Sequence, residues 1–418
     1  MNKVLVIGGG GREHAIVDAL SRSSRVDKIF CAPGNAGIAA QAEILPIKDT
    51  DVDALVSFAK KEGIDLTVVG PEASLAAGVV DAFRSEGLKI FGHTKSATRI
   101  ESSKEFAKCI MEKYGIPTAS YKSFEEFDAA LEYVNSRPLP AVLKYDGLAA
   151  GKGVVIARTR EECESALKDM LLDETFGKGK VVVEDFLTGP EFSFMCFVSG
   201  NTVYPMPLAQ DHKRAFDGDE GPNTGGMGAY TRLPFITDED VRYAFDSILC
   251  RTADAMVKEG CPLSGVLYGG LMKTADGIKV IEFNARFGDP ETEVVLPLME
   301  SDIYDIFEAV ASGRETESPR FGNDVTLGVV LASKGYPGSY DKGFEIEGLD
   351  KVGCRVYHMG TRKEGEKMLT SGGRVLMCVC RADNISDARD RVYDEIKKIH
   401  CDNLFYRNDI AHIALDNK

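Results

Sequence analysis

The sequence predicts a multidomain protein that combines α/β and α+β architecture. Its 418 residues are too many for one compact core. The first hundred residues alternate short apolar runs with amphipathic helical patterns, and a different rhythm of capped helices and strands follows. We therefore predict an N-terminal parallel α/β substrate-binding domain over residues 1–100, a central domain over 101–325 with a small subdomain at about 115–188, and a small C-terminal domain over 326–418.

The overall composition excludes several classes of function. A formal net charge of −15 repels nucleic acids and anionic membranes, so we expect neither as a partner. No apolar run reaches the ~18 residues of a membrane span, and no secretory pattern opens the chain. The ten cysteines lack metal-binding spacing, and Cys378 and Cys380 share one face of a predicted strand. We expect reduced core thiols and a cytoplasmic enzyme.

The N-terminal domain is predicted from five apolar runs, which are KVLVIG, KIFCAP, EILPI, DLTVVGPE and LKIFG. Apolar stripes over residues 52–59 and 75–83 predict helices between them. Strands that alternate with helices form parallel sheets, and such sheets bind ligands beyond the carboxyl ends of their strands. Those ends are the turns at residues 8–11, 33–35 and 70–72.

The first of these turns, in "VLVIGGGGREHA" at residues 4–15, is typical of phosphate binding. A dinucleotide fingerprint would need a third glycine where Glu13 stands and an acid after the second strand, which ends at Pro33. Both requirements fail, which argues against a nicotinamide or flavin cofactor. Backbone N–H groups at a helix start still suit a monophosphate. A tight turn that binds nothing remains the alternative.

The small subdomain has two predicted helices and a glycine-rich loop. Capping boxes at residues 123–126 and 159–162 predict the helix starts, and the strands are AVLKYD, GVVIAR and KVVVEDF. The loop in "LKYDGLAAGKGVVIA" does not match a Walker A motif, and we expect it to close over a triphosphate as a lid. Lys144 would direct a cation at the phosphates. Glu184 could accept from an adenine amino group and Glu191 could hold ribose hydroxyls.

The segment "KVIEFNARFGDPETE" at residues 279–293 gives the sharpest prediction of a site. Alternation on a strand would place Val280, Glu282, Asn284 and Arg286 on one face and apolar residues on the other. Glutamate and asparagine oxygens suit Mg²⁺ shared with phosphates. A half-exposed strand with solvated polar residues is the alternative, although asparagine is depleted in strands. A turn at residues 275–277 would join this strand to VLYGGLMK.

With these motifs the sequence resembles the ATP-grasp ligases and, within them, the phosphoribosylamine–glycine ligase (glycinamide ribonucleotide synthetase) family. The resemblance extends through nearly the whole chain, in GGGGREHA, APGNAG, VGPEA, DGLAAGKGV, QDHKR, GPNTGGMGAY and EFNARFGDPE. It implies a pre-ATP-grasp N-terminal domain, an ATP-grasp domain with a lid, and a small C-terminal domain. The implied reaction joins glycine to 5-phosphoribosylamine through a glycyl phosphate, with ATP and Mg²⁺ or Mn²⁺, in purine biosynthesis.

The resemblance also implies roles for individual residues. Those that would bind ATP are Lys104, Lys144, Gly151, Lys152, Gly153, Glu184, Asp185, Phe186, Leu187 and Glu191. Glu282 and Asn284 would hold the metal. The substrate site would include Gly10, Gly11, Asn35, Pro71, Glu72, Gly288 and Asp289. The reaction centre would include Asp211, His212, Lys213 and Arg286. His212 could relay a proton from the amine or merely form hydrogen bonds in its loop.

Some features of the sequence depart from the family pattern. His93 stands where the family commonly has proline, and we expect a satisfied or exposed side chain there rather than a catalytic one. The tail FYRNDIAHIA lacks the usual glycine-containing ending, which leaves its packing open. An ATP-grasp ligase for another carboxylate and a non-catalytic nucleotide-binding protein remain the alternatives. We expect a monomer or a weak dimer.

Overall fold

The computed structural model of the protein describes residues 2–147 and 153–416. The N-terminal part of the chain forms a five-stranded parallel sheet. Its strand order is β3-β2-β1-β4-β5. The strands are β1 (Asn2–Gly8), β2 (Val26–Pro33), β3 (Glu43–Ile44), β4 (Leu66–Val69) and β5 (Ile90–Phe91). The helices of this part and of the connection that follows are α1 (Gly11–Ser21), α2 (Val52–Glu62), α3 (Glu72–Ala77), α4 (Val79–Ser85), α5 (Arg99–Ser102) and α6 (Lys104–Tyr114).

The apolar pattern explains why this sheet is covered on both faces. All four residues of β4 are buried, as a parallel strand between two layers requires. The stripe predicted over residues 75–83 belongs to two short helices rather than one, because Gly78 adopts a left-handed conformation (φ 89°) between α3 and α4. The predicted parallel α/β architecture is therefore confirmed, with one helix more than the sequence indicated.

The small subdomain is a four-stranded antiparallel sheet in the order β6-β9-β7-β8. Its elements are β6 (Tyr121–Phe124), α7 (Phe127–Ser136), β7 (Ala141–Tyr145), β8 (Val154–Ala157), α8 (Arg160–Leu171) and β9 (Val181–Asp185). Thr159 caps α8 as predicted, and its side chain accepts from Glu162 N. The prediction of a capping box at residues 123–126 is wrong, because Ser123 pairs with Val182 inside the sheet and Glu126 is the N-cap of α7.

The rest of the chain forms a ten-stranded sheet whose main path is β17-β16-β10-β12-β15-β18-β22-β19. Its strands are β10 (Glu191–Ser199), β11 (Thr202–Pro205), β12 (Ala209–Asp211), β15 (Gly228–Thr231), β16 (Ser264–Thr274), β17 (Gly277–Asn284), β18 (Val325–Ser333), β19 (Arg355–His358), β22 (Arg374–Ala382) and β23 (Leu404–Phe405). Two hairpins stand apart from it, β13 (Arg214–Phe216) with β14 (Glu220–Asn223) and β20 (Thr361–Glu364) with β21 (Lys367–Thr370). Strands from both sides of the predicted boundary at residue 325 belong to this one sheet, so the sheet does not mark that boundary. The predicted domain boundaries remain predictions.

Helices cover both faces of the large sheet. Thr237 caps the helix that starts at Asp238 and forms a capping box there, and a π-helical segment, Ala244–Cys250, continues this helix. The helices are α9 (Asp238–Tyr243), α10 (Arg251–Lys258), α11 (Glu291–Val295), α12 (Ile303–Ala311), α13 (Ile385–Ile396) and α14 (His412–Asp416). Cys378 and Cys380 are buried and free, as predicted. In the part of the chain that the structure describes, no helix is long and apolar enough to cross a membrane.

Candidate active site

The glycine-rich turn after β1 ends in a helix start that already holds a carboxylate. Gly10 N donates to Glu13 Oε2 at 2.6 Å, and α1 begins at Gly11. A side chain at Gly70 would collide with the Glu13 carboxylate, since a Cβ there would lie 2.0 Å from Oε1. The turns after β1 and β4 therefore meet around one buried acid. An anion that binds this turn must compete with Glu13 for the Gly10 N–H group.

Asn35, predicted to lie in the substrate site, ties the turns to the C-terminal part of the chain. Its Nδ2 donates to Gly9 O at 2.9 Å and to His358 O at 2.7 Å. Its Oδ1 accepts from the backbone N–H groups of Gly37 and Ile38. These four bonds use the amide fully. Asn35 is therefore a structural tie, and any contact with a substrate would come from its backbone.

On the subdomain side, Glu184 lies between two lysines. Lys144 Nζ is 2.9 Å from Glu184 Oε1, and Lys108 Nζ is 2.8 Å from Oε2. All three side chains are at most 5% exposed. Burial lowers the pKa of Lys108 to about 8. Burial acts the other way on the carboxyl, yet the two lysines hold the pKa of Glu184 below its ordinary value.

The strand predicted to hold a metal has a bulge that the sequence did not reveal. Gly270 pairs with Glu282 and Leu271 pairs with Val280, so Ile281 is the extra residue. The prediction that Val280 shares a face with Glu282 is wrong, because the bulge reverses the alternation and places Val280 in the core. The Ile281 carbonyl accepts from Lys144 Nζ at 3.0 Å. The bulge thus connects the subdomain lysine to the strand.

Glu282 and Asn284 form an adjacent pair of oxygen-bearing side chains. Asn284 Nδ2 lies 3.5 Å from Glu282 Oε1, and the amide can turn to present its oxygen instead. Lys104 Nζ donates to Gly147 O at 3.0 Å. Burial lowers the pKa of Lys104, and the nearby Glu282 carboxylate opposes that shift. No group of three or more histidine, cysteine or acidic residues suited to a metal ion occurs within residues 2–147 and 153–416. Two hard ligands fit a divalent ion that takes its other ligands from phosphate and water.

Arg286 connects this strand to the N-terminal sheet. Its Nε lies 3.2 Å from Glu72 Oε2, and its Nη2 lies 3.2 Å from Glu101 Oε1. Arg12 continues the chain of charges, with Nη1 4.0 Å from Glu72 and Nε 2.6 Å from Glu13 Oε1. Five charges of alternating sign therefore extend from the glycine-rich turn to β17. Despite burial, the two carboxylates raise the pKa of Arg286, so it stays charged.

The end of β12 and the connection to β13 supply a second cluster of charged side chains. Lys213 Nζ lies 2.9 Å from Asp211 and 3.2 Å from Glu191. His212 points the other way, because neighbours on an extended chain alternate. Its buried Nε2 accepts from Ala411 N at 3.2 Å, and burial lowers its pKa to about 4. This placement favours the hydrogen-bonding role of His212 over the proton relay.

Asp289 faces the glycine-rich turn from the opposite side. A Cβ at Gly10 would lie 3.7 Å from Asp289 Oδ2, and Arg374 Nη1 lies 2.9 Å from Oδ1. Gly288 has no room for a side chain, since a Cβ there would lie 2.5 Å from Glu291 Oε2. Burial raises the pKa of Glu291, which accepts from two hydroxyls, those of Ser193 and Tyr268.

The other predicted residues have different positions. Asp185 turns away from Glu184 and pairs with Arg137 at 2.5 Å, since the two acids alternate on β9. Phe186 and Leu187 are half-buried in the connection from β9 to β10. Pro71 precedes α3, and Gly153 O accepts from Tyr145 N at the start of β8. Gly151 and Lys152 lie outside the described residues.

Sequence reasoning missed several residues of the site. Lys108 follows Lys104 by four residues, which on a helix is one turn on the same face, and this signal could have revealed it. Glu101 and Arg374 lack such a signal, because each acquires its partner through contacts between distant parts of the chain, as Arg12 does with Glu72.

Family models match most of the chain, and together with the lysine-bearing subdomain sheet and the oxygen ligands on β17 they define an ATP-grasp protein. The models are described as the N domain of phosphoribosylglycinamide synthetase (residues 2–101), its ATP-grasp domain (102–292) and its C domain (326–413). The chain belongs to the phosphoribosylglycinamide synthetase family.

Individual relatives agree with this assignment. The chain is 51% identical to the phosphoribosylamine–glycine ligase of Halalkalibacterium halodurans, over 99% of this chain and 97% of the relative. It is also 51% identical to the ligase of the same name from Listeria monocytogenes, over 98% and 99%. The crystal structure of the Thermotoga maritima ligase superposes with a TM-score of 0.86 at 33% identity, over 98% of this chain and all of that one.

Proposed function

We propose that this protein joins glycine to 5-phosphoribosylamine with ATP, giving glycinamide ribonucleotide, ADP and phosphate in purine biosynthesis. One observation carries the proposal. Arg286 contacts Glu72 beside the glycine-rich turn and follows the strand that bears Glu282 and Asn284. A site suited to a phosphorylated amine and a site suited to a nucleoside triphosphate therefore adjoin at one cation. The names of the relatives support the same substrates.

The chemistry requires activation of the carboxylate before the bond to nitrogen can form. A glycine carboxylate oxygen takes the γ-phosphoryl group of ATP, which gives glycyl phosphate and releases ADP. The amine nitrogen of phosphoribosylamine then attacks the carbonyl carbon, the C–O bond to phosphate breaks, and the nitrogen loses a proton. Phosphoryl transfer depends chiefly on positioning and charge neutralisation. Lys104, Lys144 and Arg286 provide that here.

Glu282 and Asn284 would hold a divalent cation, which we propose is Mg²⁺ or Mn²⁺. When bound, such an ion neutralises charge on the phosphate oxygens. The chain's own contribution is to present two oxygen ligands at the end of β17 with Lys104 beside them. Since the protein supplies only two ligands, we expect the metal to bind weakly without nucleotide and more tightly with it.

We propose that the phosphate of phosphoribosylamine binds at the start of α1. The N–H groups of Gly10 and Gly11 and the helix dipole favour an anion there. The Gly10 N–H would exchange the Glu13 carboxylate for a phosphate oxygen. Glycyl phosphate must be kept from water, so we also propose that the loop around Gly151 closes over the bound nucleotide.

The test is ADP release with each amino acid in turn, with and without freshly prepared phosphoribosylamine. We expect turnover to require glycine and the amine together, and alanine to be a poor substitute. Equal turnover with alanine or glutamate would remove glycine as the substrate and favour another ATP-grasp ligase. No ADP release under any condition would favour a non-catalytic nucleotide-binding protein. The cytoplasmic location and the monomeric or weakly dimeric state belong to the same proposal.

A further inference from the structure

Glu101 is a buried acid at the junction between the N-terminal sheet and the rest of the chain. It lies in α5, and its side chain is 6% exposed. The two carboxylate oxygens have different partners. Oε2 accepts from Ala285 N at 2.7 Å, and Oε1 lies 3.2 Å from Arg286 Nη2. One side chain thus contacts the backbone and the guanidinium of two consecutive residues.

These contacts begin where the pairing of β17 stops. The strand ends at Asn284, and Ala285 is 1% exposed, so its N–H group needs a partner within the protein. Glu101 supplies that partner. The segment that leads from the metal-binding pair to Arg286 is therefore held by a carboxylate from α5, which precedes it by almost two hundred residues.

The remaining contacts of Arg286 show which part of it is left for a substrate. Nε faces Glu72, and Nη1 donates to Phe287 O at 3.2 Å. Among the described residues, the bond to Phe287 O is a hydrogen bond, whereas the contacts with Glu72 and Glu101 are ion pairs, and Nε has no hydrogen-bond partner. Within the described residues, N–H groups on both terminal nitrogens therefore remain for an anion, and such a pair of nitrogens binds carboxylate or phosphate through two bonds.

We propose that Glu101 is a positioning residue, which fixes Arg286 so that the free N–H groups on its terminal nitrogens face the reacting carboxylate or phosphoryl group. The inference rests on the proposed function, because that function places an anion beside Arg286. Its effect on the reaction is indirect, since Glu101 contacts the arginine rather than the substrate. A preset guanidinium loses little freedom when the substrate binds.

The direct test compares the wild type with Glu101→Gln, which keeps the shape and removes the charge. We expect kcat to fall between about 10- and 100-fold, the range that a displacement of about 1 Å produces in a reacting group. KM for ATP should change by less than about 3-fold, because Lys104 and Lys144 still hold the phosphates. Glu101→Asp keeps the charge, so it should recover part of the lost kcat, and no recovery would contradict the role of the charge.

Glu395→Gln is the matched control. Glu395 also accepts from a backbone N–H, that of Gly353 at 2.5 Å, and pairs with a cation, Lys398, at 2.7 Å. It lies in α13, which belongs to none of the substrate sites described above. We expect this variant to keep the wild-type kcat. Equal kcat values for Glu101→Gln and Glu395→Gln would overturn the proposal.

A double-variant cycle separates positioning from general stabilisation. If Glu101 acts through Arg286, adding Glu101→Gln to Arg286→Lys should lower kcat no further. Losses that multiply would overturn the proposal. If the wild type forms no ADP with glycine and the amine, the proposed function fails. Thermal unfolding of the wild type, the two single variants and the double variant then tests whether Glu101 and Arg286 interact. The Tm of the double variant should then be no lower than that of the less stable single variant, whereas additive decreases in Tm would reject the interaction between Glu101 and Arg286.

Discussion

Acid should destabilise the protein through His93, a fully buried histidine between two parts of the fold. Its Nε2 donates to Val266 O at 2.8 Å, and its Nδ1 accepts from Ser264 N at 3.0 Å. The ring is neutral and both nitrogens have partners, which confirms the expectation of a satisfied histidine. A proton on Nδ1 would face the Ser264 N–H group, and the positive charge of the buried ring would not be hydrated. The perturbation is therefore a fall in pH, compared between the wild type and His93→Gln.

The structure gives the size and sign of this effect. Burial lowers the pKa of His93 from 6.5 to about 4, and Arg84 adds to the shift, while the bond to Val266 opposes it. The unfolded chain therefore takes up a proton near pH 6.5, and the folded chain does so only near pH 4. Full stability is present above pH 6.5 and is lost as the pH falls towards 4. One pKa unit corresponds to about 1.36 kcal/mol, so the complete loss is about 3 kcal/mol, with about 1.3 kcal/mol gone between pH 7.5 and 5.5.

Urea unfolding at pH 7.5, 6.5 and 5.5 measures this difference. His93→Gln lacks the titrating ring, so the difference in unfolding free energy between the wild type and this variant should narrow by about 1.3 kcal/mol from pH 7.5 to pH 5.5. Other histidines titrate in both proteins and cancel in the comparison. His400→Gln, at an exposed histidine, is the control. A gap for His93→Gln that stays constant with pH would refute the assignment of a buried neutral ring.

Three further predictions concern the candidate site. Glu282→Gln should depress ADP formation across a Mg²⁺ titration with little change in Tm, and near-normal turnover at ordinary Mg²⁺ would move the metal site elsewhere. Glu184→Gln leaves Lys108 and Lys144 buried without their carboxylate, so urea unfolding should show that the free energy of unfolding falls by about 3–5 kcal/mol. A fall of less than about 1 kcal/mol would mean that water reaches the lysines. Asn35→Ala removes the bonds to two backbone carbonyls and should cost about 1–3 kcal/mol in the same assay, whereas unchanged stability would deny its structural role.

Local patterns allowed much of the fold to be predicted from the sequence. The parallel sheet, the strands of the small subdomain and the helix start at Thr159 all depend on residues close together in the chain. Ser123 shows where such reasoning fails. Its spacing to Glu126 fits a capping box, yet the strand formed by residues 121–124 pairs with β9, and this tertiary contact outweighs the local signal.

Individual residues of the candidate site could be predicted from the sequence, but the contacts between them could not. The sequence selected Lys144, Glu184, Glu282 and Arg286, and the structure places the first two beside the strand that carries Glu282 and leads to Arg286. It did not indicate that Lys144 pairs with Glu184 or that a bulge at Ile281 turns a carbonyl towards that lysine. A bulge depends on the partner strand as well as on its own, so an alternating pattern read from one strand cannot locate it.

The pairing explains how a strongly acidic protein can bind two anionic substrates. Three largely buried cations of the site already face a carboxylate, as in Lys144 with Glu184, Arg286 with Glu72, and Arg374 with Asp289. Burying these cations without partners would cost several kcal/mol each, so the carboxylates allow the site to fold before substrate arrives. A phosphate that enters exchanges or shares these partners instead of neutralising a bare charge. The binding free energy is therefore the difference between two ion-pair arrangements, and the carboxylates that remain fix the direction of each cation towards the reacting group.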